Sequence, residues 1–569
     1  MSHEPMKPCR LRSIAVVLVF LLAGVLSRQS LVAQRVSYDV VIRGGTVYDG
    51  SGRDPVTTDV ALRGDRIAFI GPVPAGAGKQ EIDARGLAVA PGFINLMSGD
   101  ETLWADGRSQ SDIRQGVTLE VFGEGASMGP LNEETRKYAQ QMQGDIKYPV
   151  TWSTLAEGLT ALQKHGVSCN VASFLGADNP RVMVLGFANR APTPEELRKM
   201  EQITDQAMRE GALGVASALI YAPGTYAKTD ELIALSKVAS QYDGIYISHM
   251  RSEGDRLMEA VDELLTIARE AHIRAEIYHL KASGEANWPK MDQVIRKVEA
   301  ARAQGLAITA DMYTYTAGAT GLDASMPTWV QEGGYNEWVK RLKDPAIRAR
   351  VLAEMRSTTG NWENLRIEAS KVLLVAFKND ALKPLTGKTL DEVAAMRGKT
   401  PEETAIDLVI EDGSRVGTVY FLMSEANVRR EAGLPWVSFG ADEESQAPEG
   451  VFLKSNPHPR AYGNFARFLG KYVREEHVTT LQDAVRRLAA LPAANLRLRE
   501  RGQLKPGYFA DVVVFDPAKI EDHATFEKPH QYATGVVDVF VNGVEVLRDG
   551  EHTGAMAGRV VWGPGRKDQ

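Results

Sequence analysis

The feature that most limits what this chain can fold into is a strip from Ile245 to Asp311 in which strand and helix patterns alternate. Ile245-Tyr246-Ile247-Ser248 stops at His249, and Ala275-Glu276-Ile277-Tyr278 stops at His279. Between them Leu257, Met258, Val261, Leu264, Leu265 and Ala268 recur at helical spacing. A second helical pattern runs through Met291, Val294, Ile295 and Val298, and Leu306 to Ala310 then predicts a further buried strand ending at Asp311. Strands alternating with helices of this length pair in parallel through right-handed crossovers, so their carboxyl ends share one rim. His249 and His279 therefore reach the same rim, where α/β barrels and open parallel sheets keep their chemistry. Two imidazoles at equivalent places in consecutive units are a candidate metal pair; the alternative is two ordinary histidines that bond backbone carbonyls at strand ends.

At 569 residues the chain is too long for one simple core, and one large catalytic-sized domain with appendages is expected. A net charge of −7 supplies no basic field for nucleic acid or an anionic membrane, which leaves a small-molecule partner. The sequence does not set the oligomeric state. Lys7, Arg10 and Arg12 precede an apolar run, Ile14 to Leu26, that is short for a bilayer span. Residues 1–33 are therefore expected to be an export signal, giving a periplasmic or secreted protein, with an uncleaved anchor as the rival. The cysteines are Cys9 and Cys169; once Cys9 leaves with the signal, no internal disulfide and no CxxC zinc module is possible.

Tyr38 to Gly50 alternates, turns at Gly44-Gly45 and resumes, and short strands at Val60-Leu62, Ile67-Ile70 and Glu81-Asp83 extend this texture. Ala510 to Pro517 and Val537 to Val546 repeat it at the far end. One small β-sandwich built from residues 36–90 and 501–569 is expected beside a barrel over 91–500. In the barrel, Phe93-Ile94 predicts the first strand, Gly116 to Val121 the second, Val171 to Leu175 a later one and Gly214 to Ser217 another. Thr193-Pro194-Glu195-Glu196 opens a helix to about Glu210. The rhythm breaks at about 329–400, rich in charge and helix formers around one strand, Val372 to Phe377, which is read as an inserted lid. Strand texture resumes at Val419 to Met423 and at Trp436 to Phe439, followed by Asp442 at the active rim.

The chain resembles the amidohydrolase superfamily, and within it the D-aminoacylase (N-acyl-D-amino-acid deacylase) branch. The resemblance lies in the order of Asp39 to Gly45, Ala90-Pro91-Gly92-Phe93-Ile94, Tyr221 with Pro223-Gly224-Thr225-Tyr226, Ser248-His249-Met250-Arg251, and His279-Leu280-Lys281-Ala282-Ser283-Gly284. It continues through Asp311 with Tyr313 and Tyr315, Gly440-Ala441-Asp442, His458-Pro459-Arg460, and Lys505-Pro506-Gly507 with Ala510-Asp511. It implies a (β/α)8 TIM-like barrel with a β-sandwich and metal-assisted hydrolysis of an amide bond in an N-acyl-D-amino acid or related amide.

In that family the first strand ends in a His-x-His pair. Met97 and Gly99 stand in those two places here, and neither is a useful zinc ligand. The resemblance thus implies one zinc ion, its second site lost. The remaining site resembles a cysteine joined by two histidines; aligning Gly125, Ser127, Pro130 and Leu131 puts Glu124 in the cysteine's place. Glu124, His249 and His279 form the expected ligand set, with Glu120 as the rival carboxylate, four residues earlier on the same strand face. By the same resemblance Asp442 is the acid-base residue, and Tyr221, Lys281, Tyr313 and Arg460 form the substrate pocket, Arg460 forking onto a carboxylate. Two alternatives stay open: a barrel that has lost catalysis and only binds a ligand, motivated by Met97 and Gly99, and cleavage of dipeptides or cyclic amides. The latter is disfavoured because hydantoinase-like sites use a strand lysine, and Gly214 to Ser217 offers none.

Overall fold

The computed structural model describes residues 1–4, 38–357 and 368–567. The export-signal segment and Cys9 lie outside these apart from the first four residues. No helix among the described residues is long and apolar enough to cross a membrane.

Eight parallel strands form the barrel. They are Phe93–Asn95, Val117–Phe122, Asn170–Ser173 continued by Leu175–Gly176, Gly214–Ala218, Ile245–His249, Arg274–Ile277, Ile308–Met312 and Val437–Phe439. The ring closes where the Leu96 N–H donates to the Phe439 carbonyl at 3.3 Å. Ile94, Leu96, Val121, Phe174, Ile247 and Tyr278 fill the interior as one cluster, so the barrel is packed solid. Each such buried side chain contributes about 1.5–3 kcal/mol. Outside, the helix Leu257–Glu270 buries Leu257, Val261, Leu264, Leu265 and Ala268, the stripe its spacing predicts. Thr193 caps the helix Pro194–Glu210 through a reciprocal box with Glu196.

The sixth strand ends earlier than its apolar run suggests, at Ile277. The Tyr278 N–H still donates to Ser248, but His279 turns into the left-handed region (φ 34), and its N–H goes to the Asp311 carboxylate at 2.8 Å. A side chain thus replaces the ladder at the rim and aims the imidazole.

The β domain joins both chain ends in one nine-stranded sheet. Tyr38–Val47 pairs in parallel with Ala88–Pro91, which pairs antiparallel with Val512–Phe515 from the far end. Val40, Ile42, Leu62, Val512, Val514 and Phe540 share its core. Beyond His552 the chain leaves this sheet and runs along the barrel, with the Val561 N–H donating to Val171 and the Gly563 N–H to Gly211, so residues 501–569 are not all sandwich.

The inserted unit is longer than the expected 329–400. Gly318–Gly321, Gly417–Tyr420 and Val372–Ala376 form an antiparallel sheet flanked by Tyr335–Lys343, Pro345–Met355, Leu390–Arg397 and Pro401–Asp412. The run Val419 to Met423 therefore contributes to this lid sheet, not to the barrel. Apolar texture marks a strand but does not name its neighbours.

Candidate metal centre and its cavity

The second strand ends at Phe122, and Gly123 (φ 108) and Gly125 (φ 64) turn the backbone so that Glu124 projects into the rim. His249 is the last residue of its strand. Glu124 Oε1 lies 3.1 Å from His249 Nδ1 and 3.4 Å from His279 Nε2, and the two rings meet edge to face with centroids 4.4 Å apart. The three side chains offer ligand atoms within 4.8 Å of one another. Glu120 does not join them. It is fully buried, its carboxyl beside Asp112, Ser109 and Cys169, because strand alternation does not carry across the glycine turn to Glu124.

Behind the histidines stands Glu253, a residue that sequence reasoning passed over. Its Oε1 lies 3.0 Å from His279 Nδ1, and its Oε2 lies 3.9 Å from His249 Nε2. The Lys281 ammonium donates to Glu253 at 2.7 Å and touches His279 Nδ1 at 2.6 Å. Lys281 thus supports the histidine and its acid, and it also lines the cavity in which it is expected to meet substrate. A ring nitrogen fixed by a carboxylate while the other faces a second carboxylate is the arrangement that orients imidazole metal ligands. His249 Nε2 is buried without a hydrogen-bond partner, an arrangement costing about 1–3 kcal/mol in a protein with nothing else to compensate it. One carboxylate and two imidazoles, with Glu124 Oε1 set against His249 Nδ1 and His279 Nε2, are a donor set that fits a zinc ion.

Burial opposes the Glu124 charge, but hydrogen bonds from His249 and His279 outweigh it and hold the carboxyl below its ordinary range. Glu253 is likewise lowered, burial being overcome by Lys281, His249 and His279. Burial and Lys281 push the His279 pKa down, yet Glu253, Asp442 and Glu124 prevail and raise it to about 10. The cluster therefore carries a strong negative potential at His279 Nε2, where a cation would displace a proton.

Asp442 lies in the left-handed region (φ 52) just past the eighth strand, its N–H donating to Met97 at 2.9 Å. Glu124, His249, His279 and Asp442 all line one cavity of about 560 Å³, together with Tyr221 and Tyr313. Burial raises the Asp442 pKa against the pull of Arg460 and His279. Tyr221 stands edge-on to His249 at 5.2 Å. The Tyr313 hydroxyl is buried without a partner. Arg460 is almost wholly buried, its Nη1 2.7 Å from Asp442 Oδ2 and its guanidinium 4.3 Å over the Tyr313 ring; it borders an adjoining cavity instead.

On the first strand, Asn95 accepts from the Ala441 N–H at 2.8 Å and donates to Asp112 at 3.0 Å. Met97 is packed into the barrel interior. A Cβ added at Gly99 would run into the Glu444 carboxylate. The two places are thus filled by a thioether and a neighbouring acid.

Residues 160–547 match the model of the amidohydrolase family. The chain is 33% identical to the D-aminoacylase of Alcaligenes xylosoxydans xylosoxydans over 92% of this chain and 97% of that one. A D-aminoacylase structure superposes with a TM-score of 0.77 at 32% identity, covering 92% and 99%; its binuclear centre is described by one-metal activation and second-metal attenuation. The N-acyl-D-glutamate deacylase of Bordetella bronchiseptica, solved with zinc and a phosphonate mimic of the tetrahedral intermediate, gives 0.76 at 29% identity, covering 92% and 100%.

Proposed function

Since this chain belongs to the amidohydrolase family, in its D-aminoacylase branch, we propose that it is an exported enzyme that hydrolyses the amide bond of N-acyl-D-amino acids with one zinc ion. The observation that carries the reading is the convergence of Glu124, His249, His279 and Asp442 on one cavity. Glu124, His249 and His279 would hold the metal. When bound, zinc polarises a carbonyl oxygen and lowers the pKa of water from 15.7 to about 7. Asp442, its basicity raised by burial, accepts the proton of the attacking water and delivers it to the leaving amine nitrogen. The Arg460 ion pair and the backbone bond to Met97 fix the carboxylate for both transfers. Glu253 and Lys281 keep the His279 ring from turning. Tyr221 and Tyr313 wall the substrate against water.

A single ion accords with Met97 and Gly99 just past the first strand, with the Glu444 carboxylate that reaches Gly99 from beyond the eighth strand, and with the relative whose chemistry one metal activates. Export is supported by Lys7, Arg10 and Arg12 ahead of the apolar run Ile14 to Leu26. Metal analysis with a screen of N-acyl-D- and N-acyl-L-amino acids tests the reading. The expected result is one zinc per chain, chelator-sensitive turnover of D-substrates restored by zinc, and a loss of about 10²–10⁴-fold in Asp442→Asn. Zinc-independent turnover, or full activity in Asp442→Asn, would overturn it.

A further inference from the structure

The cavity has a cation that the sequence resemblance does not assign. Among the described residues that line it, the lysine and arginine side chains are Lys281 and Arg415. Lys281 lies against Glu253 and His279, and Arg460, buried beside Asp442 with Nε and Nη1 making no hydrogen bond among the described residues, lines the adjoining cavity. Arg415 differs from both. Its side chain is 45% exposed, and its guanidinium lies 4.8 Å over the ring of Tyr221, which in turn meets His249.

Several features hold it there. Nε donates to both oxygens of the buried Asp323 at 2.8 and 3.0 Å, and Nη2 reaches the Thr320 hydroxyl at 3.4 Å, while Nη1 makes no hydrogen bond among the described residues. A Cβ at Gly321 would run into the Asp323 carboxylate and the Arg415 stem, so the lid strand leaves room for this pair. The next residue, Val416, is held at φ 59, a rare conformation for a β-branched side chain; its carbonyl and that of Arg415 both accept from the Leu322 N–H. Strain of this kind persists where surrounding structure fixes a functional position.

We infer that Arg415 is a cation that receives a carboxylate of the substrate, one tyrosine ring away from the metal cluster and on the lid, in addition to the Arg460 that the resemblance assigns. A planar guanidinium with one edge tied to Asp323 and a terminal nitrogen open to the cavity is preorganised for that contact. The carboxylate is either the α-carboxylate of the N-acyl amino acid or the side chain of an acidic one. This rests on the deacylase reading for the substrate class but not for the binding itself.

The test uses the zinc-loaded full chain with N-acetyl-D-leucine, N-acetyl-D-glutamate and N-acetyl-D-leucinamide, which carry one, two and no carboxylates. Binding is measured by calorimetry in the Asp442→Asn background and turnover in the parent. Arg415→Gln is combined with Asp323→Asn so that no buried acid is left bare, and Arg415→Lys keeps the charge. The expected result is a loss of about 10- to 100-fold in affinity and in 1/KM for carboxylate ligands in the double variant, a smaller loss in the lysine variant, and little change for the amide. Equal losses for leucine and glutamate ligands assign the α-carboxylate; a loss confined to glutamate assigns the side chain. A carboxylate preference that survives in the double variant and vanishes in Arg460→Gln overturns the inference, as does its absence from the parent. Arg415-dependent binding without hydrolysis of any ligand would uphold it while removing the deacylase reading.

Discussion

Under the first barrel strand, burial drives Asp112 up to about 7 and Glu120 well above its ordinary value, and Glu444 beside Gly99 is raised in the same way. Across the same rim, Glu124, a quarter exposed, and the largely buried Glu253 are held below the ordinary carboxylate range. What separates the two regions is the company the acids keep. His249, His279 and Lys281 surround the second pair, whereas Asp112 and Glu120 have each other, Asn95 and Cys169. Buried acids with no cation beside them stay in a fold by becoming neutral, because an isolated buried carboxylate is too costly. The first strand is thus packing, and the fifth and sixth strands carry the charged site.

The hardest blow to this contrast comes from emptying matched places on the two sides. His279→Ala should lower zinc content sharply and kcat/KM by at least about 10³-fold, since several kcal/mol of transition-state stabilisation go with the metal. Met97→Leu, a volume-conserving change in a packed interior, should leave both within about twofold. Metal analysis and steady-state kinetics on the two variants decide the matter; comparable losses would mean that the first strand still takes part.

Glu253 gives a finer cut, because its carboxylate lies against the two histidines and Lys281, through which it would act. Glu253→Gln should weaken zinc by about 10–100-fold in competition titrations with a chelator. At saturating zinc its kcat should recover most of the parent value. A kcat that stays low would make Glu253 a participant in the chemistry and not a positioning residue.

The parts of this site that were legible in the sequence are those where local pattern and place coincide. His249 and His279 end apolar runs within a strand-helix-strand rhythm, so rim placement followed from topology alone. Glu124 was reached through the resemblance, and strand alternation, which favoured Glu120 equally, stopped being informative at Gly123. Glu253 sits in a turn four residues past His249, where no periodicity applies, and only the third dimension puts it against His279. Arg415 is more remote still, delivered by a lid sheet whose strands are far apart in the chain. Lys281 and Arg460 carried the right motif, but the motif does not show that each also lies against a neighbouring acid. The barrel and the joined chain ends were read correctly because period-two and helical patterns report burial directly. The lid boundaries were not, because helix-rich insertions share the composition of the barrel's own helices.

The smallest expected effect concerns stability, and it separates the two regions by the sign of their response to pH. Asp112 has an ordinary value of 3.8 and a folded value of about 7. Between these the folded chain binds more protons than the unfolded one, so its contribution is full below about 4 and is lost as pH rises through about 7. Glu253 works in the opposite sense, stabilising above its ordinary value of 4.5 and losing that contribution as pH falls. From pH 5 to 6 the Glu253 contribution is constant, and His279, raised from 6.5 to about 10, loses its own only above that window, so the downward slope of stability there includes the neutral acids. Asp112→Asn should flatten it, and adding Glu120→Gln should flatten it further, in urea-unfolding midpoints taken at half-unit steps. An unchanged slope in the double variant would show that these acids are already ionised in the folded chain, and the two sides of the rim would then differ in ligands but not in charge.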